Sequence, residues 1–397
     1  MWKNPKKVYA CGFASTGSFG IKNLILGETK TEIINKPKKI SFFNNKDISK
    51  ISSGFGFSLF ANKEKLYGAG LNNYYQLGKA PVKSGFKEKE PDKWYIHPKE
   101  IILPNDCGKI RDISSGRLHS LILTDSGVYG MGDNAHGQCG FDNDSVNESV
   151  LKNKKIDVWG KIELDTDEEI RKILCILDTS YILTKSGKLY AFGLGEDGQV
   201  GNGEYGIFKK PTLVGGDITN EHIVHISGST DTLIALSSKG DIFLWGQNEY
   251  NQMDLITSNL QLNLPKHFPL NIGKIVSTAA TGSSCIVCTE TGQVYVWGHQ
   301  ILGLGPRVTS TVKPIQIEST IFSTNQATDS FVKSVFAGST SMGARTSDGN
   351  LFTWGFNRYG ELGLGKKEKQ LFPYPVFLPE EVKALELGYD HSLFITS

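Results

Sequence analysis

Nowhere do the 397 residues run apolar for the ~20 positions that a transmembrane helix needs, and no secretory h-region opens the chain. The lead from Met1 to Lys7 is too short for a full Arg-rich amphipathic transit peptide, since the first structural motif begins at Val8. If the natural protein enters an organelle, this chain is expected to be a processed or trimmed form, or to use atypical targeting. Cysteine is sparse: Cys11, Cys107, Cys139, Cys175, Cys285 and Cys288 form no dense disulfide framework, which favours a reducing compartment. The Cys285 and Cys288 pair has the letters of a metal or redox motif, but in a strand an odd spacing sends the two thiols to opposite faces. Arginine is the other shortage. Only Arg111, Arg117, Arg171, Arg307, Arg345 and Arg358 stand among the 43 basic residues, whereas a surface that grips phosphates bidentately favours arginine. The net charge of +2 implies neither nucleic acid nor membrane by itself.

Signatures of catalysis are missing too. There is no G-x-x-x-x-G-K-(S/T), so the chain is not a P-loop nucleotide hydrolase. The run from Gly201 to Gly206 fits G-x-G-x-x-G by letter, yet it follows a turn and no helix is expected after it. No histidines share a metal-ligand spacing. The clusters Asp165/Asp167/Glu168/Glu169 and Glu380/Glu381 read as solvated loops.

What the chain does have is glycine, 44 of them, in a pattern. An apolar residue, an aromatic, two residues and a glycine recur, ending at Gly12, Gly70, Gly132, Gly193, Gly246, Gly298 and Gly355, spaced 58, 62, 61, 53, 52 and 57 residues apart. A second glycine follows five residues on at Gly17, Gly137, Gly198, Gly303 and Gly360, and a third eight residues on at Gly20, Gly78, Gly140, Gly201 and Gly363. Where the +5 glycine is absent stand Asn251, which tolerates positive φ, and Tyr75, which would be strained there. Asn72, Asn134, Asn248 and Asn357, two residues past the motif glycine, can bond nearby backbone and hold a turn.

Before each motif stands a strand, clearest at Ile113 to Thr124, whose alternating tail reads as half-buried. A tight turn such as Asp125-Ser126-Gly127 then leads into the motif strand, a hairpin that recurs along the chain. The first copy has a motif strand with no preceding partner, and the last ends on Gly388 to Thr396 with no following one. From Gly355 through the termini to Gly12 is 54 residues, so the C-terminal strand is expected to pair with Val8–Cys11 and close a ring. Length alone would suggest two or three domains. The repeats instead predict one domain over residues 1–397, with units near 5–63, 64–125, 126–186, 187–239, 240–291, 292–347 and 348–397. Tryptophan–aspartate repeats of about 40–45 residues and kelch repeats of about 50 do not carry this glycine spacing.

These residues resemble the regulator-of-chromosome-condensation repeat, with its Trp-Gly strand end, Gly-Gln-Leu-Gly-like turn and Gly-x-x-His-Ser-Leu strand, over essentially the whole chain from Val8 to Thr396. The resemblance implies an all-β fold, a seven-bladed β-propeller of four-stranded blades in which neighbouring repeats share a blade. Residues 54–60, 70–78, 116–140 and 297–306 look like the family's mitochondrial branch, the one encoded in the Williams–Beuren chromosomal region. The sixth turn, with Gly305 and Pro306 in place of the usual +8 glycine, supports that branch. Gly-x-x-His is intact only at Gly116/His119 and Gly388/His391. Phe57, Asp231, Cys285 and Ser341 take the histidine place in other copies, and the copy at Ile173 to Thr179 loses the glycine as well. His119 and His391 are expected to bond a neighbouring blade's backbone, as buried polar groups should.

Function is expected in loops that exceed a tight turn. Lys79 to Cys107 carries Lys83, Lys87, Lys89, Lys93 and Trp94; Phe141 to Glu169 carries Lys152, Lys154, Lys155 and Trp159; Pro306 to Ser330 carries Arg307. Tryptophan beside lysine can stack a base or anchor a protein. The resemblance implies non-catalytic work in mitochondria without cofactor or metal. Its two forms are nucleotide exchange on the inner-membrane fusion dynamin, with a peripheral contact to that membrane, and support of large-subunit mitochondrial rRNA with its partner proteins. DNA is not an expected partner. An exchange factor or scaffold for another small GTPase outside mitochondria stays open as the alternative.

Overall fold

β-Branched and aromatic residues fill the hairpin strands, and glycine or asparagine occupies most places where the chain must reverse, so short antiparallel strands are what local preference allows. The computed structural model describes residues 5–27, 31–79, 93–141, 151–152, 155–323 and 330–397, with backbone only for those placed between 151 and 158. The strands form seven antiparallel sheets. In the third, Ile110–Ser115 is innermost, then His119–Thr124, Gly127–Asp133 and Lys155–Lys161, with Leu151–Lys152 as a fifth strand outside. The other sheets have four strands in the same order, ending outermost on Trp94–Glu100, Ile207–Leu213, Gln261–Phe268, Ser310–Ile317 and Gln370–Val376 in the second, fourth, fifth, sixth and seventh blades.

The first blade closes the ring. Its order is Ile33–Lys39, Lys7–Phe13, His391–Thr396, Val382–Leu387, so two strands come from each end of the chain. Lys7 pairs with Thr396 and Gly12 with His391. This is the seven-bladed propeller that the repeats and the resemblance imply, and sharing of a blade by neighbouring repeats follows from it.

The core is divided among the seams between blades. Seven apolar clusters each join two adjacent sheets; one unites Ile286 and Val296 of the sixth blade with Ala344 and Trp354 of the seventh. A blade therefore has packing on both faces. The strand His119–Thr124, expected to be half-buried, is buried at every position for that reason. Fully buried Val, Leu, Ile or Phe side chains contribute roughly 1.5–3 kcal/mol each. Cys285 and Cys288 fall in different seam clusters, on opposite faces of their strand, and all six cysteines are free and buried.

Each motif glycine is a β-bulge. Pairing with the outer strand slips there, between Ala10 and Gly12 in the first blade and between Leu244 and Gly246 in the fifth. At Gly12, φ is 120° and a Cβ would lie 2.5 Å from the Asp390 carbonyl oxygen, so only glycine fits. The Gly201–Gly206 stretch is turn backbone, followed by the outer strand Ile207–Leu213 rather than a helix.

Three readings of the repeat need correction. Thr232 pairs with Gly246 and Ser284 with Gly298 as His119 pairs with Gly132, so Thr232 and Ser284, not Asp231 and Cys285, take the histidine place. The fifth blade has one extra residue in its inner loop, and in the sixth Thr281 N–H bonds the Ser284 carbonyl as Gly116 N–H bonds that of His119. His119 and His391 bond side chains of the next blade rather than backbone: His119 Nε2 lies 2.8 Å from Ser180 Oγ and His391 Nε2 2.7 Å from Ser58 Oγ. Finally, Gly303 is not a +5 glycine. A Cβ there would meet Trp354 Nε1 at 2.7 Å, as one on Gly201 would meet Trp245 Nε1 at 2.9 Å. Gly305 N–H donates to Leu371 O as Gly365 N–H does to Asn35 O. Gly303 thus matches the +8 glycine of other turns, and the sixth turn is three residues short (from +8 to +5).

Candidate partner-binding face

The glycine turns and the loops from innermost to second strands emerge on one face of the ring; the hairpin turns emerge on the other. On the first face four of the seven turns are tied by an asparagine. Asn72 Oδ1 accepts from Leu77 N–H at 2.8 Å, and Asn134, Asn248 and Asn357 do the same for Cys139, Met253 and Leu362. A glutamine then links blades. Gln138 Oε1 holds the His136 N–H at 2.9 Å, while its carbonyl accepts from Ser180 Oγ of the next blade at 2.7 Å. Since that serine gives its hydrogen to Gln138, His119 Nε2–H is the donor toward it. Burial first and Arg117 second push His119 down to about 3, so the ring is neutral.

The mouth of the central channel opens on this face, and sequence reasoning did not single out its residues. Arg117 forks onto Asp178 of the fourth blade. Tyr389 packs at a tilt against Phe55, centroids 4.4 Å apart, and its hydroxyl donates to the Ser229 carbonyl in the fifth blade, reaching across the mouth. Asp231 accepts from Gln199 Nε2 at 3.2 Å and is raised to about 6, by burial and then by Asp197 and Asp178. Inside the ring, a cavity of about 340 Å³ is lined by Lys172, His225 and Glu386. Burial raises Glu386 to about 7 against the pull of Lys172, and lowers His225 to about 3 with Lys172 adding to it. Only register could have found these groups, because they come from separate innermost strands.

The expected loop residues do not form one patch. Lys83, Lys87, Lys89 and Lys154 lie outside the described residues, and Lys152 and Lys155 are placed only as strand backbone. Lys93 and Trp94 are exposed where the second blade's outer strand begins, and the Trp94 indole N–H donates to Thr16 O. Trp159 is half-buried, its N–H committed to Ile102 O at 3.0 Å. Arg307 is exposed at the seam of the sixth and seventh blades, three blades away. Lys79 and Phe141, after which the two insertions begin, both follow a motif strand on the turn face. Among the described residues no group of three His, Cys, Asp or Glu side chains is placed to hold a metal ion, and no helix is long and apolar enough to cross a membrane.

The regulator of chromosome condensation (RCC1) repeat is matched at residues 63–123, 186–236 and 348–395, and again at 110–138. The RCC1-like G exchanging factor-like protein of Mus musculus is 33% identical, over 97% of this chain and 86% of its own length. Its Homo sapiens counterpart is 32% identical, over 97% and 85%. The crystal structure of human WBSCR16 superposes with a TM-score of 0.90 at 31% identity, over 99% of both chains. With its seven bulged blades and this likeness along nearly its whole length, the chain belongs to the regulator-of-chromosome-condensation (RCC1) repeat family.

Proposed function

We propose that this chain accelerates nucleotide release from a GTPase in mitochondria, the inner-membrane fusion dynamin being the first candidate. The observation that carries the reading is the five-stranded third blade. Leu151–Lys152 pairs with Lys155–Ile156 beyond the regular outer strand, so the insertion adds a short hairpin strand to the blade's outer edge. The relative's name, an exchanging-factor-like protein, agrees with that use. Exchange needs no covalent chemistry. The propeller must bind the nucleotide-free GTPase more tightly than the nucleotide-bound form, and the equilibrium then shifts by that difference. A hairpin held on a rigid ring can press on phosphate-binding elements at little ordering cost.

The test is release of fluorescent GDP from the purified dynamin with and without the propeller. Replacement of residues 142–154 by a short glycine linker, which removes the added strand, is expected to abolish the acceleration while the melting curve is kept; unchanged release sinks the assignment of the hairpin. Support of large-subunit mitochondrial rRNA is a second reading, favoured by the exposed Lys93 and Trp94 beside the lysine-rich 79–93 segment. Crosslinking in intact mitochondria followed by sequencing of attached RNA decides it, with rRNA enrichment that falls steeply with salt as the supporting result.

A further inference from the structure

Turn tips on this propeller cover the outer strand of the next blade. A Cβ on Gly137 would meet Lys209 Cα at 2.4 Å, one on Gly198 would meet Asn263 Cα at 2.8 Å, and one on Gly360 would meet Asn35 Cα at 2.7 Å. In each case the neighbour is the third residue of that strand. The sixth turn has lost its tip. The third residue of the seventh blade's outer strand, Phe372, lies instead against Gly305 and is 45% exposed. Beside it opens a cavity of about 360 Å³, lined by Gln300, Ile301, Pro306, Val308, Phe356 and Leu371.

Two donors lost their acceptors with the tip. In the seventh turn Gly363 N–H donates to Gly360 O at 3.0 Å. The matching Gly303 N–H, which lines the cavity, has no acceptor among the described residues. The Trp245 and Trp297 indoles donate to the carbonyls of Gln199 and Gln252 at 2.8 and 2.9 Å. Trp354, 0% exposed and directly under Gly303, has no acceptor. Backbone donors are ordinarily satisfied, so the Gly303 N–H at the cavity wall calls for an oxygen acceptor from elsewhere, whereas the Trp354 indole stays sealed beneath it. The rim is cationic. Lys369 lines the cavity, Arg307 stands exposed between the lining residues Pro306 and Val308, and Lys367 and Glu368 are exposed just before Lys369.

We propose that this notch docks an acidic, apolar peptide segment of a partner protein. An apolar side chain of the segment takes the space of the missing tip, a carbonyl or carboxylate oxygen accepts from Gly303 N–H, and flanking carboxylates face Arg307, Lys367 and Lys369. The inference does not rest on the exchange reading, since it concerns a seam three blades from the hairpin.

The probe is a random-peptide phage library panned on the full chain, with the enriched peptides resynthesised with a fluorophore and measured by polarisation. Enriched sequences are expected to pair an apolar residue with Asp or Glu. Their affinity is expected to fall about ten-fold or more in the exposed double variant Arg307→Glu/Lys369→Glu, as loss of rim charges predicts. It is expected to vanish when Arg-Tyr-Gly is inserted between Gln300 and Ile301 to rebuild the tip, with the melting curve checking that the variant folds. Enrichment of peptides without acids, equal binding by the charge-reversed variant, or no enrichment at all overturns the proposal.

Discussion

His119 in the third blade and Ser180 in the fourth meet at 2.8 Å across a fully buried seam, and Ser180 passes its own hydrogen to the Gln138 carbonyl at 2.7 Å. The relay ties an inner strand of one blade to its neighbour and to a turn. Ser180→Ala would strand two buried polar groups, at a cost of about 1–3 kcal/mol. Urea titrations of Ser180→Ala, His119→Ala and the double variant are expected to show a favourable coupling of about 0.5 kcal/mol or more in a double-mutant cycle. Additive losses would mean that the bond contributes nothing beyond the packing of each side chain.

The seventh turn departs from the relay in one atom. Gln76, Gln138, Gln199 and Gln252 accept a turn N–H through their side-chain oxygen, and in the seventh turn Glu361 does so, 2.8 Å from Tyr359 N. Burial raises Glu361 to about 7, with Asp390 adding to it. A carboxyl raised on folding gives stability that is complete below its unfolded value near 4.5 and is lost as pH climbs through about 7. Glu361→Gln keeps the acceptor without the titration. Its advantage over the parent is expected to grow from pH 5 to pH 8, by on the order of 3 kcal/mol at most. Asp231 and Glu386 are raised in both proteins, so the difference between two denaturation series isolates Glu361. A constant difference across that window would show that Glu361 is charged in the folded protein.

Closure of the ring rests on the strand His391–Thr396, which pairs with Lys7–Phe13 on one side and Val382–Leu387 on the other. Leu393 and Ile395 enter the seam with the second blade, and Phe394 enters the seam with the seventh. Removing residues 391–397 opens two seams and is expected to replace one cooperative thermal transition with a broad or early one in circular dichroism. Retention of the parent's transition would show that the remaining blades hold the ring without its clasp.

The blade count, the closure and the asparagine-held turns were legible in the sequence because glycine and asparagine mark backbone needs that few other residues meet. Register was not. The extra residue before Thr232, the stray Gly282 and the missing tip before Ile301 leave letter spacings that imitate the motif; strand pairing shows Asp231 and Cys285 to be out of step, and packing on Trp354 shows the same for Gly303. The loop candidates fared unevenly for a related reason. Composition flagged Trp159 beside lysines, but its indole is spent on the Ile102 carbonyl, whereas Arg117 and Tyr389 sit in ordinary repeat loops and gain their place at the channel mouth from the ring itself.

Tyr75 occupies a place that the fold assigns to glycine. Its φ is 64°, next to 77° at Gly137 and 74° at Gly360 in equivalent turns. An L-residue with a Cβ carries a penalty of roughly 1–2 kcal/mol there. The turn is otherwise regular: Tyr75 N–H donates to Asn72 O at 3.1 Å, and its carbonyl accepts from Gly78 N–H at 2.8 Å. Tyr75→Gly keeps both bonds and relieves the strain, but it loosens the unfolded chain and gives up the partly buried ring. The net expectation is a small gain, up to about 1 kcal/mol, read as a rise in urea midpoint at unchanged slope. Gly137→Ala runs the other way. It adds the same strain and drives a Cβ to 2.4 Å from Lys209 Cα, a backbone atom that cannot turn aside. That variant is expected to lose more than the strain alone, on the order of 2 kcal/mol or more. If both variants shift stability by the same amount and sign, the left-handed turn is not what sets the energetics of these tips.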